Sequence, residues 1–435
     1  MVNQIQIPEG EEHMEYSEAV SYLNSREWFS SEPGLGRIRD LLGKLGNPQS
    51  GLRFVHIAGT NGKGSCAAMI ASVLKASGYK TGLFTSPYLY RFNERMQING
   101  KQIEDSALAE IVTQLRPVAE SMEKHPIAFE LMTAAAMLWF AQEKCDIVVL
   151  EAGLGGIFDP TNVIDCPEAA VIMNIGLDHT AVLGGTITEI AANKAGIIKE
   201  GGDVVLYQQS DEVETLIAGV CAEKGARLHV TDFSAIEPEF DSLDGQVFSY
   251  KGESCAIPLL GEHQRKNTAA VIETVQVLRE KGFNIEQDML EHGLYSVFWP
   301  ARFEVAAEEP YFVVDGGHNP QCAATVVQNL ADYFPGVKHV LLVGVLKDKD
   351  YESMFRILNL AASEYFCVTP PCGRALPAEE LAAHLEQYGK PVTVCGSIED
   401  AVFDSMEKAR AQDAMVCAAG SLYMAGEIRA CLGLY

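Results

Sequence analysis

The 435-residue sequence lacks the segments that direct a chain into or across a membrane. No apolar run reaches the roughly 18 residues that a transmembrane helix needs, and the first residues contain neither a basic nor an apolar leader. Signatures of disulfide frameworks and zinc sites are also missing, since the eleven cysteines are scattered, odd in number and without a CxxC pair. We therefore expect a cytoplasmic protein with reduced thiols, no signal peptide and no membrane partner.

Basic residues are scarce: 33 Lys and Arg stand against 59 Asp and Glu, which gives a formal net charge of −26. A field of this sign repels a phosphate backbone, so we expect no nucleic-acid partner, although a local cationic site for a small anion remains compatible. Glycine and proline are ordinary at 38 and 18 residues, and 48% of the chain is hydrophobic, which excludes collagen-like and disordered chains. At about 150 residues per domain, this length predicts two or three domains.

Short apolar runs alternate with helical patterns in the N-terminal part, which predicts an α/β fold with a parallel sheet. The expected strands are residues 53–58, 146–151 and 170–174, and the expected helices are residues 64–77, 105–124 and 129–144. Residues 227–258 change to short strands with Gly and Asp turns, which indicates a small antiparallel patch.

The C-terminal part repeats the alternation after residue 300. Helical stretches separate five further strand candidates, at residues 311–315, 339–344, 365–369, 391–395 and 414–419. This pattern predicts a second, smaller, Rossmann-like sheet. The sequence thus predicts two domains, covering residues 1–297 and 298–435, with the boundary where Trp299-Pro300 ends a helical pattern.

A glycine-rich segment lies directly between the first predicted strand and the next predicted helix. Its residues are Gly59, Thr60, Asn61, Gly62, Lys63, Gly64 and Ser65. Glycines allow a tight turn there, while backbone N–H groups and the helix N-terminus face an anion. Lys63 is placed to reach the β- and γ-phosphates of a nucleotide, and the Ser65 hydroxyl to bind Mg²⁺. An ordinary glycine-rich turn is the alternative, because Gly64 interrupts the common GxxxxGK[ST] pattern, but the spacing favours a P-loop mononucleotide-binding domain.

Three further residues of the first domain carry functional chemistry. Glu151 ends a predicted strand and precedes glycines, so it points to the crevice where α/β sheets bind ligands; a capping or surface role is the alternative. His179 follows Asp178 after another predicted strand, although a lone histidine is often structural. Lys194 lies in an apolar stretch, where burial of an unpaired ammonium is costly. We therefore expect that its ammonium has a partner or is modified; the alternative is a side chain that reaches solvent.

In the second domain, polar segments follow the predicted strands. They are residues 315–320 (DGGHNP), 344–350 (GVLKDKD) and 420–423 (GSLY), with Arg302 near the boundary. Singly, each fits turn chemistry, because Asp, Gly, Asn and Pro are turn formers. Together they predict that both domains present strand ends to one site, which favours the joining of two substrates over simple hydrolysis.

A set of motifs in fixed order carries a resemblance to a known family. The matching segments are residues 59–65, 85–100, 129–140, 151–163, 174–186, 193–199, 261–270, 299–305, 315–320, 348–350 and 420–429. Through them, nearly the whole chain resembles the folylpolyglutamate synthases and dihydrofolate synthases, within the Mur-type ATP-dependent amide ligases.

The resemblance implies an ATP-dependent acid–amino-acid ligase. A folate or dihydropteroate carboxylate would attack the γ-phosphate of ATP to give an acyl phosphate and ADP, and the amino group of L-glutamate would then displace phosphate. Metal ions and cations neutralise the charge on the transferring phosphoryl group. ATP, L-glutamate and the folate are the implied partners, two Mg²⁺ ions are the implied cofactors, and we expect a monomer.

The resemblance also implies roles for individual residues. The implied nucleotide contacts are loop 59–65, Asn267, Arg302 at the phosphates and Asp315 at the ribose. The implied metal ligands are Ser65 and Glu151 for one Mg²⁺, and Ser86 with His179 for a second. Lys194 matches a lysine that is carbamylated in related ligases. His318 and Ser421 lie near the implied glutamate site. The implied catalytic residues are Lys63, His179, Lys194 and His318.

The chain departs from the family pattern at a few positions. They are Ile157 for Arg, Pro160 for Ala, Asn193 for Glu, Ala301 for Gly and Gly317 for Ala. None of them removes an implied catalytic residue. Ile157 lies near the implied substrate pocket, so dihydrofolate synthase, folylpolyglutamate synthase and both activities in one chain stay open.

Other functions remain as alternatives. A cell-wall-type ligase would need an additional domain for a nucleotide sugar, and the P-loop here begins at Gly59. A phosphotransferase would end with a phosphorylated product. A regulatory nucleotide-binding module is disfavoured because Lys63, Glu151, His179 and Lys194 are all intact.

Overall fold

The computed structural model describes residues 13–25 and 33–434. These residues divide into two units: unit 1 runs to Ile236 and resumes over Lys266–Val297, and unit 2 consists of Glu237–Arg265 and the chain from Phe298 onward. No helix within the described ranges has the length and apolar composition needed to cross a membrane.

Unit 1 is built on an eight-stranded sheet with the order β4-β3-β2-β5-β1-β6-β7-β8. The strands are β1 (Phe54–Ala58), β2 (Thr81–Phe84), β3 (Met96–Ile98), β4 (Lys101–Gln102), β5 (Ile147–Glu151), β6 (Ala169–Ile172), β7 (Asp203–Leu206) and β8 (Arg227–Val230). Pairing is parallel from β2 to β8, whereas β3 and β4 form an antiparallel edge. Strands β1, β5 and β6 are buried along their whole length, as expected for largely apolar sequences in a parallel sheet.

Helices cover both faces of this sheet. They are α1 (Tyr16–Asn24), α2 (Gly36–Lys44), α3 (Lys63–Ala76), α4 (Asp105–Glu120), α5 (Ala128–Gln142), α6 (Thr180–Leu183), α7 (Ile187–Lys194), α8 (Asp211–Glu223), α9 (Glu262–Glu280) from Lys266 onward, and α10 (Gln287–Tyr295). Short 3₁₀ turns lie at Pro48–Gly51, Phe92–Arg95, Pro160–Val163, Ala195–Ile197 and Phe233–Ala235. One apolar core contains side chains of α1, α2, α4 and α5, and another contains side chains of α7 and α8.

Unit 2 contains two sheets. A three-stranded sheet has the order β11-β10-β9, with β9 (Ile236–Ser242), β10 (Gly245–Tyr250) and β11 (Glu253–Ile257). A six-stranded sheet has the order β12-β13-β17-β14-β15-β16. Its strands are β12 (Glu304–Glu308), β13 (Tyr311–Val314), β14 (Lys338–Val343), β15 (Ala362–Cys367), β16 (Val392–Val394) and β17 (Ala414–Ala419).

The six-stranded sheet is parallel except for β12, which pairs antiparallel with β13. The helices of unit 2 are α11 (Pro320–Tyr333), α12 (Tyr351–Leu358), α13 (Ala378–Leu385), α14 (Ile398–Gln412) and α15 (Leu422–Cys431), with a 3₁₀ turn at Glu386–Tyr388. Val313, Leu341 and Cys417, from the strands at the centre of the sheet, lie in its buried core.

The division of the structure differs from the predicted domains in residues 237–265. These residues group with unit 2 because hydrogen bonds join them to each other and to α11. Arg265 Nη1 donates to both carboxylate oxygens of Asp241 at 2.7 and 2.9 Å, and Gly261 N–H donates to the Tyr333 hydroxyl at 3.0 Å. The expected antiparallel patch is present as β9–β11, but residues 227–230 form β8 of the larger sheet.

Candidate active site

The glycine-rich loop connects β1 to α3, as its sequence predicts. Gly62 has a φ of 84°, and a Cβ there would lie 2.6 Å from the Asn267 side-chain oxygen, so this position requires glycine. The Lys63 ammonium donates to the carbonyls of Gly59 at 3.1 Å and Thr60 at 3.2 Å. The structure therefore places Asn267 against the loop and Lys63 directly over it.

The loop is fastened to the segment that follows β6. Thr60 N–H donates to the Asn174 carbonyl at 2.7 Å, and the Thr60 hydroxyl and Gly176 exchange two hydrogen bonds of 3.1 Å each. The Asn61 amide lies 3.4 Å from that of Asn174. Gly64 is half-buried and Ser65 is buried, both in the first turn of α3. This backbone pairing holds the loop against the segment that carries His179.

Glu151 ends β5 next to the loop, because Ile57 and Glu151 are paired across β1 and β5. Its side chain is buried, and its Oε2 accepts the backbone N–H of Ser86 at 3.1 Å. The structure thus places Ser86 beside Glu151. His179, which the prediction grouped with Ser86, lies after β6 in a left-handed conformation with a φ of 51°. Its N–H donates to Asp178 Oδ1 at 2.8 Å, and its Nε2 lies 3.9 Å from the same atom.

Lys194 is the last residue of α7 and is 3% exposed, which excludes the alternative of a solvent-reaching head. Its ammonium donates to the Gly59 carbonyl at 2.7 Å, so a residue 135 positions away reaches the same loop as Lys63. Burial lowers the pKa of Lys194 to about 7, and the charge of Lys63 acts in the same direction. A substantial neutral-amine population therefore exists near neutral pH.

In unit 2, Asp315 follows β13 and supports the turn that carries Arg302. Its two carboxylate oxygens accept the N–H groups of Phe303 at 2.9 Å and Gly317 at 2.7 Å. Burial raises the pKa of Asp315, while the positive charge of Arg302 opposes that rise. Arg302 Nη1 donates to the Ala301 carbonyl at 2.9 Å.

His318 and Ser421 also follow strands of the six-stranded sheet. His318 Nδ1 lies 3.2 Å from the Gly316 carbonyl. Ser421 is buried, and its hydroxyl caps α15 by accepting the Tyr423 N–H at 3.2 Å. Gly420 N–H donates to the Gly317 carbonyl at 3.1 Å, so the segments after β13 and β17 lie side by side.

Comparisons with known proteins identify the family. The model of the Mur ligase middle domain matches residues 57–275, and that of the Mur ligase, glutamate ligase domain matches residues 301–422. A dihydrofolate synthase/folylpolyglutamate synthase of Bacillus subtilis (strain 168) is 36% identical over 426 residues, which cover 95% of this chain and 98% of that protein. The chain belongs to the folylpolyglutamate synthase/dihydrofolate synthase family of Mur-type ligases.

Solved structures of this family share the fold. A Mycobacterium tuberculosis folylpolyglutamate synthase complexed with ADP and AMPPCP has a TM-score of 0.89 at 29% identity, over 97% of this chain and 98% of that one. A folylpolyglutamate synthase complex with AMPPCP and folate has a TM-score of 0.84 at 33% identity, over 96% of this chain and 99% of that one. The predicted family is confirmed, and so is the predicted α/β fold with two sheet-containing regions.

Two departures from the folylpolyglutamate synthase pattern are neighbours in the structure. Ile157 N–H donates to the Asn193 carbonyl at 3.0 Å, and the Asn193 side-chain oxygen accepts the Gly156 N–H at 3.0 Å. A Cβ on Gly155 would lie 2.3 Å from that same oxygen. Asn193 therefore holds the glycine-rich segment after β5, and Ile157 remains 38% exposed at its tip.

Sequence reasoning missed a buried hydrogen-bond chain beneath that segment. Asp159 accepts the N–H groups of Leu154 at 2.8 Å and Thr161 at 3.0 Å, and it also accepts the Thr161 hydroxyl. His56 Nε2 lies 2.8 Å from that hydroxyl, and burial lowers the pKa of His56 to about 3, so the ring is neutral. The Asp-Pro-Thr-Asn sequence is the available signal, because Asp before such a turn commonly accepts from nearby backbone.

The ion pair between Glu304 and Arg429 in unit 2 was missed as well. Arg429 Nε donates to the two Glu304 carboxylate oxygens at 3.2 and 3.0 Å. Both residues lie within segments that carry the family resemblance, 299–305 and 420–429, yet neither has a spacing that predicts the pair.

Proposed function

We propose that this protein uses ATP to activate a folate or dihydropteroate carboxylate and couples it to the amino group of L-glutamate. The observation that carries the proposal is the convergence on one loop of Lys63, Lys194 and, through the neighbouring strand, Glu151. Two lysine amines and a carboxylate around backbone N–H donors suit a metal–nucleotide complex better than simple anion binding. The names of the relatives and their complexes with ADP, AMPPCP and folate support the same substrates.

The chemistry follows from the poor reactivity of a carboxylate. One carboxylate oxygen attacks the γ-phosphorus of ATP, the bond to the β-phosphate oxygen breaks, and ADP leaves. The resulting acyl phosphate has a good leaving group, so the glutamate amine adds to its carbonyl carbon. Collapse of the tetrahedral intermediate expels phosphate, the amine loses one proton, and an amide remains.

We assign the nucleotide contacts residue by residue. Backbone N–H groups of loop 59–65 and the N-terminus of α3 favour the phosphates, and Lys63 adds a positive charge. We assign Asn267 and Arg302 to nucleotide contacts, the latter at the phosphates, and Asp315 to the ribose. The Asp315 carboxylate already accepts two backbone N–H groups, and its four lone-pair sites leave capacity for a sugar hydroxyl.

The donors near the loop fit Mg²⁺. Across residues 13–25 and 33–434, no three His, Cys, Asp or Glu side chains are arranged to hold a metal ion by themselves. Mg²⁺ is commonly held by one or two protein ligands together with water and substrate phosphates. Ser65 and Glu151 suit one such ion, and we assign Ser86 and His179 to a second. Bound there, Mg²⁺ neutralises charge on the phosphoryl group.

We assign a carbamate to Lys194. The ammonium would first lose one proton. The neutral amine would then add to CO₂ and release a second proton, so that a buried cation becomes an anion. The lowered pKa of Lys194, about 7, supports this step because the amine must be neutral to react. The nearby charge of Lys63 would then favour the anion, whereas it disfavours the ammonium.

For glutamate, we assign His318 and Ser421. Ser421 is the weaker candidate on geometry, since its hydroxyl caps α15, but a hydroxyl that accepts one hydrogen bond still has a proton to donate. We also propose that the chain acts as a monomer and that it works in the cytoplasm. The eleven cysteines, none of which forms a disulfide in the part of the chain that the structure describes, support the proposed compartment.

A product assay tests the proposal and separates its two forms. The protein is incubated with ATP, Mg²⁺ and L-glutamate, and with either dihydropteroate or tetrahydrofolate. An amide product from dihydropteroate supports dihydrofolate synthase activity, one from tetrahydrofolate supports folylpolyglutamate synthase activity, and products from both support a bifunctional enzyme. Phosphate release without an amide from either acceptor contradicts the ligase assignment.

A further inference from the structure

The turn that carries Arg302 has an unusual backbone. Ala301 and Phe303 both have positive φ angles, 56° and 50°, although each has a side chain that disfavours the left-handed region. No glycine within the turn relieves the crowding, so other contacts must stabilise this conformation. Both residues are fully buried, which leaves the Arg302 side chain as the group that the turn presents.

Carboxylates hold the turn at both ends. Glu304 Oε2 accepts the Ala301 N–H at 2.8 Å, and Asp315 Oδ2 accepts the Phe303 N–H at 2.9 Å. The Ala301 carbonyl accepts the Gly316 N–H at 2.9 Å and Arg302 Nη1 at the same distance. These bonds fix the backbone on either side of Arg302 and one of its guanidinium nitrogens.

Arg429, from α15, fixes Glu304 in turn. Its Nε contacts both carboxylate oxygens, and the Arg429 and Glu304 side chains are 12% and 17% exposed. The guanidinium carbon of Arg429 also lies 5.8 Å from the centre of the Phe298 ring. A shielded, charge-assisted contact of this kind is stronger than a surface ion pair, and it limits the motion of the Glu304 carboxylate.

The space around the guanidinium is also restricted. A Cβ on Gly316 would lie 2.8 Å from Arg302 Nη1 and 2.0 Å from a Leu422 methyl carbon. Arg302 therefore packs against the backbone of Gly316. Any larger residue at position 316 would occupy the space that the guanidinium now fills. The turn, the ion pair and Gly316 together give the guanidinium a defined position.

We propose that Glu304 and Arg429 are positioning residues, which hold the Ala301–Phe303 turn so that Arg302 meets the nucleotide phosphates without reorganisation. The inference rests on the role of Arg302 in the proposed function. A preorganised cation costs no rearrangement when charge develops on the transferring phosphoryl group. Loss of the pair frees the turn and lets Arg302 occupy several positions, so nucleotide affinity and turnover fall together.

The test compares Glu304→Gln and Arg429→Lys with Glu308→Gln, which alters an exposed carboxylate on the same strand. Each variant is assayed for the dissociation constant of ADP, the KM for ATP, the KM for L-glutamate and kcat. We expect Glu304→Gln to weaken ADP binding and kcat/KM for ATP on the order of tenfold, with the KM for glutamate and the thermal unfolding midpoint little changed. Arg429→Lys keeps the charge and is expected to show a smaller effect in the same constants.

A double-mutant comparison with Arg302→Ala tests whether Glu304 acts through Arg302. In an Arg302→Ala background, Glu304→Gln is expected to have no further effect on ADP affinity or on kcat/KM for ATP. Equal losses in both backgrounds, or equal losses in the ATP and glutamate constants, would overturn the positioning role. If Arg302→Ala itself leaves ADP binding and turnover unchanged, the proposed role of Arg302 fails; if it impairs them while Glu304→Gln and Arg429→Lys do not, the positioning role alone fails.

Discussion

Two turns in this protein carry cations that we assign to nucleotide phosphates, and they are built in opposite ways. The loop at residues 59–65 uses glycine at its left-handed position, Gly62, and leads into a helix that starts at Lys63. The turn around Arg302 places Ala301 and Phe303 in the left-handed region and depends on carboxylates to hold them there. The first conformation follows from local sequence, whereas the second requires side chains from elsewhere in the chain.

The difference has a physical consequence. In loop 59–65, we propose that backbone N–H groups are themselves the anion donors. A side chain at Gly62 would both strain the turn and clash with the neighbouring Asn267. In the Arg302 turn, the backbone only positions one guanidinium. Substitution of the carboxylates that hold this turn would therefore misplace the guanidinium without removing the binding site. We therefore expect substitutions in the loop to be more damaging than substitutions in the turn.

The largest effect is expected for Lys63→Ala. The substitution removes the charge that we place against the β- and γ-phosphates, so ATP-dependent amide formation should fall by at least about 10³-fold. Lys75→Ala, at an exposed lysine of the same helix, is the matched control and should retain activity. Near-normal turnover of Lys63→Ala would mean that the loop does not bind the transferring phosphate.

A second large effect is expected at Lys194, whose buried amine contacts the loop and can change its charge near neutral pH. With a pKa of about 7, the amine is protonated below this pH and cannot add to CO₂, so carbamate occupancy should rise as pH increases through 7. NMR with ¹³C-bicarbonate on the intact protein measures this occupancy directly.

The variant and its control each replace one lysine by arginine. Lys194→Arg should lose the carbamate signal and most activity, whereas Lys199→Arg, at a half-buried lysine bonded to the Asn162 carbonyl, should keep both. A carbamate signal that survives in Lys194→Arg would place the modification elsewhere. An occupancy that falls as pH rises would contradict the assigned chemistry.

The contrast between the two turns also explains what the sequence could predict. Loop 59–65 is contiguous, and its glycines, Lys63 and Ser65 are visible as a pattern between a strand and a helix. Glu304 and Arg429 are 125 residues apart, and neither Ala301 nor Phe303 is a residue type that signals a left-handed conformation. The ion pair between Glu304 and Arg429 is therefore visible only in the folded structure.

The same reasoning applies to the rest of the fold. Fully buried strands such as β1 and β5 have largely apolar sequences, so their positions were predicted to within a residue or two. Strand β12 was missed because Glu304–Glu308 is short, half-buried and alanine-rich, which gives no clear alternation. Residues 237–265 belong to unit 2 although unit 1 resumes at Lys266, and a sequence pattern along the chain does not reveal such an excursion between units.

An intermediate effect is expected for Gly62→Ala. The methyl group would meet the Asn267 oxygen at 2.6 Å in a backbone conformation that alanine disfavours, so the loop must shift. We expect kcat/KM for ATP to fall about 10²-fold, since small displacements at a phosphate site are costly. Gly78→Ala, at a left-handed glycine after the same helix with open space around it, shares the strain without the clash. Equal activity losses in the two variants would show that strain alone is responsible.

The smallest effect is expected for Ala301→Gly, which converts the second turn to the design of the first. Glycine removes about 1 kcal/mol of left-handed strain, but it also gives the unfolded chain more freedom, so the net change in unfolding free energy should stay within about 1 kcal/mol. Because Glu304 and Asp315 still hold the turn, the KM for ATP should rise only a fewfold, as measured by steady-state kinetics.

In a Glu304→Gln background, Ala301→Gly should lower kcat/KM for ATP further, since glycine then adds flexibility to a turn that has lost one of its hydrogen-bonding carboxylates. Strictly additive effects of the two substitutions on kcat/KM for ATP would show that the backbone of the turn and the ion pair act independently, which contradicts the expected coupling.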